Sequence, residues 1–194
     1  MIHPIKHFCT IQAHRNLVLK YCFKIGLYKQ GLLHDLSKFS FSEFWVGAKY
    51  YQGDRSPNNA EREKIGFSSA WLHHKGRNKH HFEYWIDYNL RRNDNIMTPA
   101  PMPNKYIAEM MMDRIAACRI YQKKKYTVSS PLEYYNHSAG RLPLHPYTKE
   151  QLEKMLYMLK EHGEEYTLNY IKNDFLKSPE YSNRMDSKDM NNNE

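Results

Sequence analysis

Apolar residues in this chain of 194 residues recur at three- and four-residue steps. No segment alternates apolar and polar residues for more than a few positions. That periodicity gives each of several helices one apolar stripe and gives a sheet no face to bury. The expected fold is therefore all-α, a compact bundle of about six to eight helices. Two of the stripes carry an ionisable residue, and those two positions lead to the chemistry.

The helices can be placed from their stripes and caps. Residues 10–29 read as a helix with Ile11, His14, Val18, Tyr21, Cys22 and Ile25 on one face. GLLHDLSKF, residues 31–39, reads as a second short helix. Ser40 and Glu43 then form a capping-box pattern that opens a helix through FWVGAKYY. GDRSPNN is a loop by its turn chemistry. Residues 60–74 read as one helix ending in WLHH, KGRNK as a loop, and HHFEYWIDY as the start of the next helix. Pro99, Pro101 and Pro103 mark an irregular crossing. Residues 104–124 form a strong helix whose face of Tyr106, Met110, Ala117 and Tyr121 is interrupted by Asp113. Residues 126–146 are loop-rich, with a short helix after Pro131. Thr148 and Gln151 form a second capping box, opening a helix that Gly163 closes, and a last helix covers 164–177. One domain, residues 1–177, is expected, followed by a polar and disordered tail over 178–194.

Composition narrows the class. Cys9, Cys22 and Cys118 are odd in number and widely spaced, with no Cys-x-x-Cys pair. This argues against a disulfide framework and against a thiolate zinc site, and for a reducing, cytoplasmic setting. The N-terminus lacks the apolar run of a signal peptide, and no stretch is apolar enough to span a membrane. The formal charge of +8 favours anionic partners, such as a small phosphorylated substrate or nucleic acid, although at this modest excess solubility is the better account of most of the charges.

Three features carry chemistry. His34-Asp35 ends an apolar Gly-Leu-Leu turn and puts two metal-ligating types side by side. By itself such a pair is commonplace at a solvated helix end. His14 and Asp113, however, also sit on apolar stripes, and a buried imidazole or carboxylate needs a partner. A hydrogen-bonded core histidine and an ion pair of Asp113 with Arg114 or Arg119 would be two separate explanations, where one metal suffices. WLHHKGRNKHH, residues 71–81, holds His73, His74, His80 and His81 among Lys75, Arg77 and Lys79. The plain alternative is a basic loop, but four imidazoles beside Trp71, Phe82 and Trp85 suit a ligand cluster. Imidazole and carboxylate without thiolate fit one or two divalent ions of Mn, Fe, Co, Ni or Zn. Lys38 follows Asp35 by three residues and can reach a bound phosphate from the same turn.

His14, then His34-Asp35 with Lys38 completing His-Asp-x-x-Lys, then the histidine cluster, then Asp113 in MMMDRIAA, resembles the HD-domain superfamily over roughly residues 10–125. That superfamily is all-helical. It contains metal-dependent phosphohydrolases, nucleotidases, cyclic-nucleotide phosphodiesterases and a few di-iron oxygenases. GLLHDLSKFS, FWVGAKYYQG, SPNN, WLHHKGRNKHH, EYW and EMMMDRIAA further resemble a bacterial and phage family of unknown function over most of the chain. Carried onto this sequence, the superfamily pattern implies His14, His34, Asp35 and Asp113 as ligands of a first metal. Asp35 would bridge to a second metal held by His74, His80 and His81. The chain departs from better-known members in packing its histidines into one tight loop.

The reading that follows is hydrolysis of a nucleotide or other small phosphate ester. Asp35 and Lys38 would serve catalysis, Lys38, Arg77 and Lys79 would balance phosphate charge, and Asn78 would orient the substrate, with Arg55 a weaker candidate. A di-iron oxygenase on the same ligands, and a non-catalytic metal-stabilised protein that binds nucleic acid or a host factor, are the alternatives. No nucleic-acid recognition motif stands out in the sequence.

Overall fold

A computed structural model describes residues 2–90, 95–137 and 141–181. Among them are eight α-helices: α1 (Pro4–Lys24), α2 (Tyr28–Leu33), α3 (Phe41–Tyr50), α4 (Pro57–Ile65), α5 (Ser69–Lys75), α6 (Asn104–Gln122), α7 (Ser130–Asn136) and α8 (Pro146–Asn173). The chain is all-α, as its periodicity requires. A short antiparallel ribbon of β1 (Ile86–Tyr88) and β2 (Met97–Pro99) pairs Ile86 with Pro99, Asp87 with Thr98 and Tyr88 with Met97.

α6 is the axis of the bundle and packs against α1, α7 and α8. It is apolar over most of its circumference: Ile107, Ala108, Met110, Met111, Met112, Ile115 and Ala116 are all buried. Val18, Tyr21, Cys22 and Ile25 of α1 meet it on one side, and Leu152, Met155, Leu156, Leu159 and Ile171 of α8 on another. Cys22 and Cys118 are buried free thiols, and Cys9 is exposed. α2 folds back on α1 through Gly31, where an added Cβ would lie 2.8 Å from Cys22 Cβ. Only a glycine allows that approach, and the approach carries His34 and Asp35 toward the stripe of α1 that holds His14.

Several boundaries differ from the sequence expectation, each for a local reason. α1 begins at Pro4, whose fixed φ and missing N–H suit a first turn, so the helix starts six residues earlier than its apolar stripe suggests. Residues 31–39 are two pieces, α2 and a 3-10 turn at Leu36–Phe39, divided by the His34-Asp35 bend. Residues 60–74 also divide. Left-handed Gly66 (φ 86°) ends α4, and the Ser68 hydroxyl accepts from Trp71 N to open α5. HHFEYWIDY forms a 3-10 turn at Phe82–Trp85 followed by β1 rather than an α-helix. Trp85 Nε1 donates to Lys79 O and Ala100 N donates to Trp85 O, tying that segment to the ribbon. α8 is capped by the His145 ring, not by Thr148, whose hydroxyl instead accepts from Met102 N. Its helical course is interrupted at Gly163 (φ 80°, ψ −179°), where two helices had been expected to meet. Packing continues beyond residue 177. Asn104 donates to Glu180 Oε2 and to Ser178 O, and Tyr181 stacks on His145 and Tyr147. The rest of the expected tail, 182–194, lies outside the described residues.

Candidate metal centre

Four parts of the fold deliver the site. α1 contributes His14 from its inward stripe, and α6 contributes Asp113 and Glu109, one helical turn apart. The α2 C-terminus contributes His34 and Asp35, and the α5 end with the following loop contributes His74, His80 and His81. The bend that presents Asp35 is a special one. Asp35 has φ 54° and ψ 25°, left-handed backbone that an Asp tolerates better than most residues. Arg15 of α1 fixes the bend from outside, its Nε donating to His34 O (2.8 Å) and its Nη2 to Leu32 O (3.2 Å).

The donors converge in two groups that share Asp35: His14, His34, Asp35 and Asp113, and Asp35, His74, His80 and His81. Within each group the donor atoms all lie within 4.8 Å of one another. In the first, Asp35 Oδ2 is 3.7 Å from His14 Nε2 and 3.4 Å from His34 Nε2, and His14 Nε2 is 3.0 Å from Asp113 Oδ1. In the second, Asp35 Oδ1 is 3.2 Å from His74 Nε2 and 3.4 Å from His80 Nε2. The two carboxylate oxygens of Asp35 thus face opposite groups, which is the disposition of a bridging ligand. Ring nitrogens also face one another, His74 Nε2 and His81 Nε2 at 2.9 Å and His14 Nε2 and His34 Nε2 at 3.4 Å. Both oxygens of Asp35 and His80 Nε2 are buried without a well-formed hydrogen bond, although Lys38 Nζ lies 2.6 Å from Oδ2. Buried polar atoms are rarely left so. Convergent imidazole and carboxylate donors with orphaned lone pairs fit a divalent transition-metal ion. The Asp113 ion pairs weighed from the sequence do not form: Arg119 binds Glu164 instead, and Arg114 lies against the Tyr135 ring.

The far sides of the rings are held by carboxylates. Glu109 Oε1 accepts from His34 Nδ1 (2.9 Å) and from His80 Nδ1 (3.1 Å), and Glu43 takes His73 Nδ1 (2.6 Å) and His74 Nδ1 (2.7 Å) on its two oxygens. Such contacts fix tautomer and ring direction so that Nε2 presents its lone pair inward. Neither glutamate was singled out from the sequence. Glu109 stands one turn before Asp113 on the same stripe, so helical spacing could have found it. Glu43 was read as a capping residue. The Ser40 hydroxyl does accept from Glu43 N, but the carboxylate reaches across to α5.

Charge at the centre is tightly coupled. Burial would raise the carboxyl of Asp35, but His34, Lys38 and His74 overcome it and hold it well below the usual range. Asp113 is likewise held down against its burial by His14, His34 and His80. Burial disfavours charge on His34, yet Asp35, Glu109 and Asp113 raise it; the same balance lifts His74 to about 9. In His14 burial and Lys38 prevail, and in His81 burial and the neighbouring His80 and His74, so both are lowered. A metal ion would serve the carboxylates in place of the protons on His34 and His74.

A cavity of about 620 Å³ opens over the cluster, lined by His14, His74, His81 and Asp113 and also by Lys38, Arg55, Arg62, Arg114, Trp71, Phe82, Glu83 and Tyr121. That volume suits a small-molecule ligand. Of the substrate-binding residues expected from the sequence, Lys38 lines the cavity. Arg77, Asn78 and Lys79 do not. Arg77 is exposed and caps His73 O, and Lys79 is exposed over the Tyr84 ring. Asn78 is buried and donates to Ser37 Oγ and His74 O, bracing the histidine loop against the His-Asp bend. Arg55 is at the cavity wall but bound by both oxygens of Glu63. Arg62, which the sequence did not single out, and Arg114, weighed there only as an ion-pair partner of Asp113, also bring guanidinium groups to the cavity wall.

A helical domain with a buried histidine–carboxylate cluster beneath a cavity lined by charged and aromatic side chains defines a candidate metalloprotein. The chain belongs to a family of unknown function, DUF5662, whose match covers residues 3–158 and so takes in every donor above. No curated protein and no solved structure matches it. None of the described helices is long and apolar enough to cross a membrane.

Proposed function

We propose that the protein hydrolyses the phosphate ester of a nucleotide or similar small molecule at a centre of one or two divalent ions of Mn, Fe, Co, Ni or Zn. The observation that carries this reading is the pair of donor groups sharing Asp35 directly beneath a cavity whose wall carries the cations Lys38, Arg62 and Arg114, beside the carboxylates of Asp54 and Glu83. When bound, such ions supply Lewis acidity, polarising phosphoryl oxygens and lowering the pKa of water toward ~7. The protein's own groups do the rest. Asp35, in the bend after α2, is common to both groups of donors, and Asp113 of α6 completes the first. Lys38, with one side against Asp35 and the other on the cavity, offers its remaining N–H bonds to a phosphoryl oxygen. Arg62, stacked on Trp71 and bonded to Asn59, keeps a fixed guanidinium at the same wall. The resemblance of the His-Asp-x-x-Lys pattern to HD-domain phosphohydrolases points the same way.

The test is elemental analysis of protein purified without chelator, then phosphate release from a panel of nucleotides and sugar phosphates with the metal found. Metal in about one or two equivalents and chelator-sensitive hydrolysis under argon are expected. Metal-free protein, or turnover that needs dioxygen, refutes the reading. The second result would move the centre to the di-iron oxygenase alternative, which uses the same donors.

A further inference from the structure

The cavity holds one feature that phosphate chemistry leaves unused. Glu83 lines it, and Glu83 Oε2 is buried with no hydrogen-bond partner. The residue is held firmly. It sits in the 3-10 turn Phe82–Trp85, which is pinned by Tyr84 N on His81 O and by Trp85 Nε1 on Lys79 O, while Phe82 packs on the core. Among the described residues, no cation of the cavity forms an ion pair with Glu83, and Arg114 lies over the Tyr135 ring with its Nε unpartnered. Lys38 is on Asp35, Arg55 on Glu63, and Arg62 on Asn59 and the Trp71 face. A buried carboxylate oxygen without a donor is costly. Glu83 is half-buried at the cavity wall, and rotation of its side chain into the cavity lets a bound ligand supply the donor.

We propose that Glu83 is a specificity-determining residue, accepting a hydrogen bond from a hydroxyl or amino group on the organic part of the phosphate ester. This rests on the phosphohydrolase reading and adds the substrate's second end. The cavity is several times larger than a phosphate group, and its aromatic wall of Trp71, Phe82 and Tyr121 suits a flat or apolar organic body. On that body a neutral donor meets Glu83, whereas a second anionic group would face a carboxylate. The substrate class is thus a phosphate monoester with a ring or apolar body and a hydrogen-donating substituent. Bisphosphates and carboxylated esters are rejected.

Calorimetric titration of the full-length, metal-loaded protein tests this. The probes are inorganic phosphate, benzylphosphonate, its 2-, 3- and 4-amino derivatives, and the 4-carboxy derivative. At least one amino isomer should bind roughly tenfold or more tighter than benzylphosphonate, as for a hydrogen bond to a charged group, and the carboxy derivative should bind more weakly. In Glu83→Leu the preference should shrink to within about twofold while inorganic phosphate binds as before. Glu83→Gln, which keeps one acceptor oxygen and covers the case of a misfolded leucine variant, should retain part of it. If phosphate binds but no amino isomer is preferred, or if the preference survives in Glu83→Leu, the role of Glu83 is overturned and the phosphate reading stands. If neither phosphate nor any phosphonate binds, both fall.

Discussion

Removing Glu109 tests whether the cluster is a built metal site or only a buried hydrogen-bond network. The residue is 5% exposed, and one of its oxygens serves two rings, His34 at 2.9 Å and His80 at 3.1 Å. His34 belongs to one donor group and His80 to the other, so a single carboxylate aims a ligand of each. Burial would push its carboxyl up, but the hydrogen bonds from His34 and His80 outweigh this and hold it below its usual value, so it acts as a charged acceptor. Loss of such a supporting carboxylate typically costs ~10–100-fold in metal affinity. Glu109→Ala should approach the upper figure, because two rings lose their orientation together. Glu109→Gln keeps an acceptor oxygen but not the charge and should fall near the lower one. Competition with a chromophoric chelator measures the affinity, and circular dichroism checks the fold. A Glu109→Ala protein with native dichroism and unchanged metal affinity would refute the argument. Equal losses in both variants would show that charge alone, not ring orientation, is at work.

Other perturbations separate the parts of the structure. Lys38→Ala removes a cation 2.6 Å from Asp35, so metal affinity should hold or rise, while turnover on any phosphate ester found should fall about tenfold to a hundredfold; a drop in metal content would show Lys38 to be structural. Gly31→Ala puts a Cβ 2.8 Å from Cys22 Cβ and 3.2 Å from Leu19 Cδ1, and overpacking there should cost about 1–3 kcal/mol in denaturant melts; no loss would mean that α2 shifts freely. Glu164 accepts from Arg119, Tyr126 and Tyr21 beside the α8 interruption. Its carboxyl would be raised by burial but is held below 4.5 by those partners. A depressed folded-state pKa means stability that is present above the unfolded value and is lost as pH falls through the folded one. Glu164→Gln should therefore cost about 1–3 kcal/mol at pH 7, with the gap to wild type closing in melts below pH 4.5; a gap independent of pH refutes it.

The helical architecture was legible because it depends on a one-dimensional signal. The stripe on α1 maps onto buried residues, and Cys22 and Cys118 are buried as their helical faces suggest. On α6 only Met110 of the expected face is buried; Asp113, Ala117 and Tyr121 are half-buried and line the cavity, while the core is met by Ile107, Met111, Met112 and Ile115. The errors fall where a short-range signal competes with that pattern. Gly66 and Ser68 are a stop and a start in the middle of residues 60–74, whose apolar spacing reads as one helix. The segment after His81 is rich in aromatic residues at spacings that suit helix or strand alike. It pairs with β2, which ends at Pro99, the first proline of the crossing, and that partner is distant in sequence.

The site divides along the same line. His14 and Asp113 were found because a helix fixes side-chain direction, and an ionisable residue on an apolar stripe must point inward. His34 and Asp35 follow from Gly31, which sets α2 against α1. In residues 75–81 no period fixes direction. There the chain reverses after Gly76, and Asn78, bonded to Ser37 and to His74 O, decides which side chains turn in. His80 and His81 go inward, while Arg77 and Lys79 go to solvent, although all four lie within five residues. Among the cations that line the cavity, Arg62 stands on α4 and Arg114 on α6. Closeness in sequence to a ligand cluster therefore does not decide which side chains face the cavity, whereas on a helix the spacing from a known donor does.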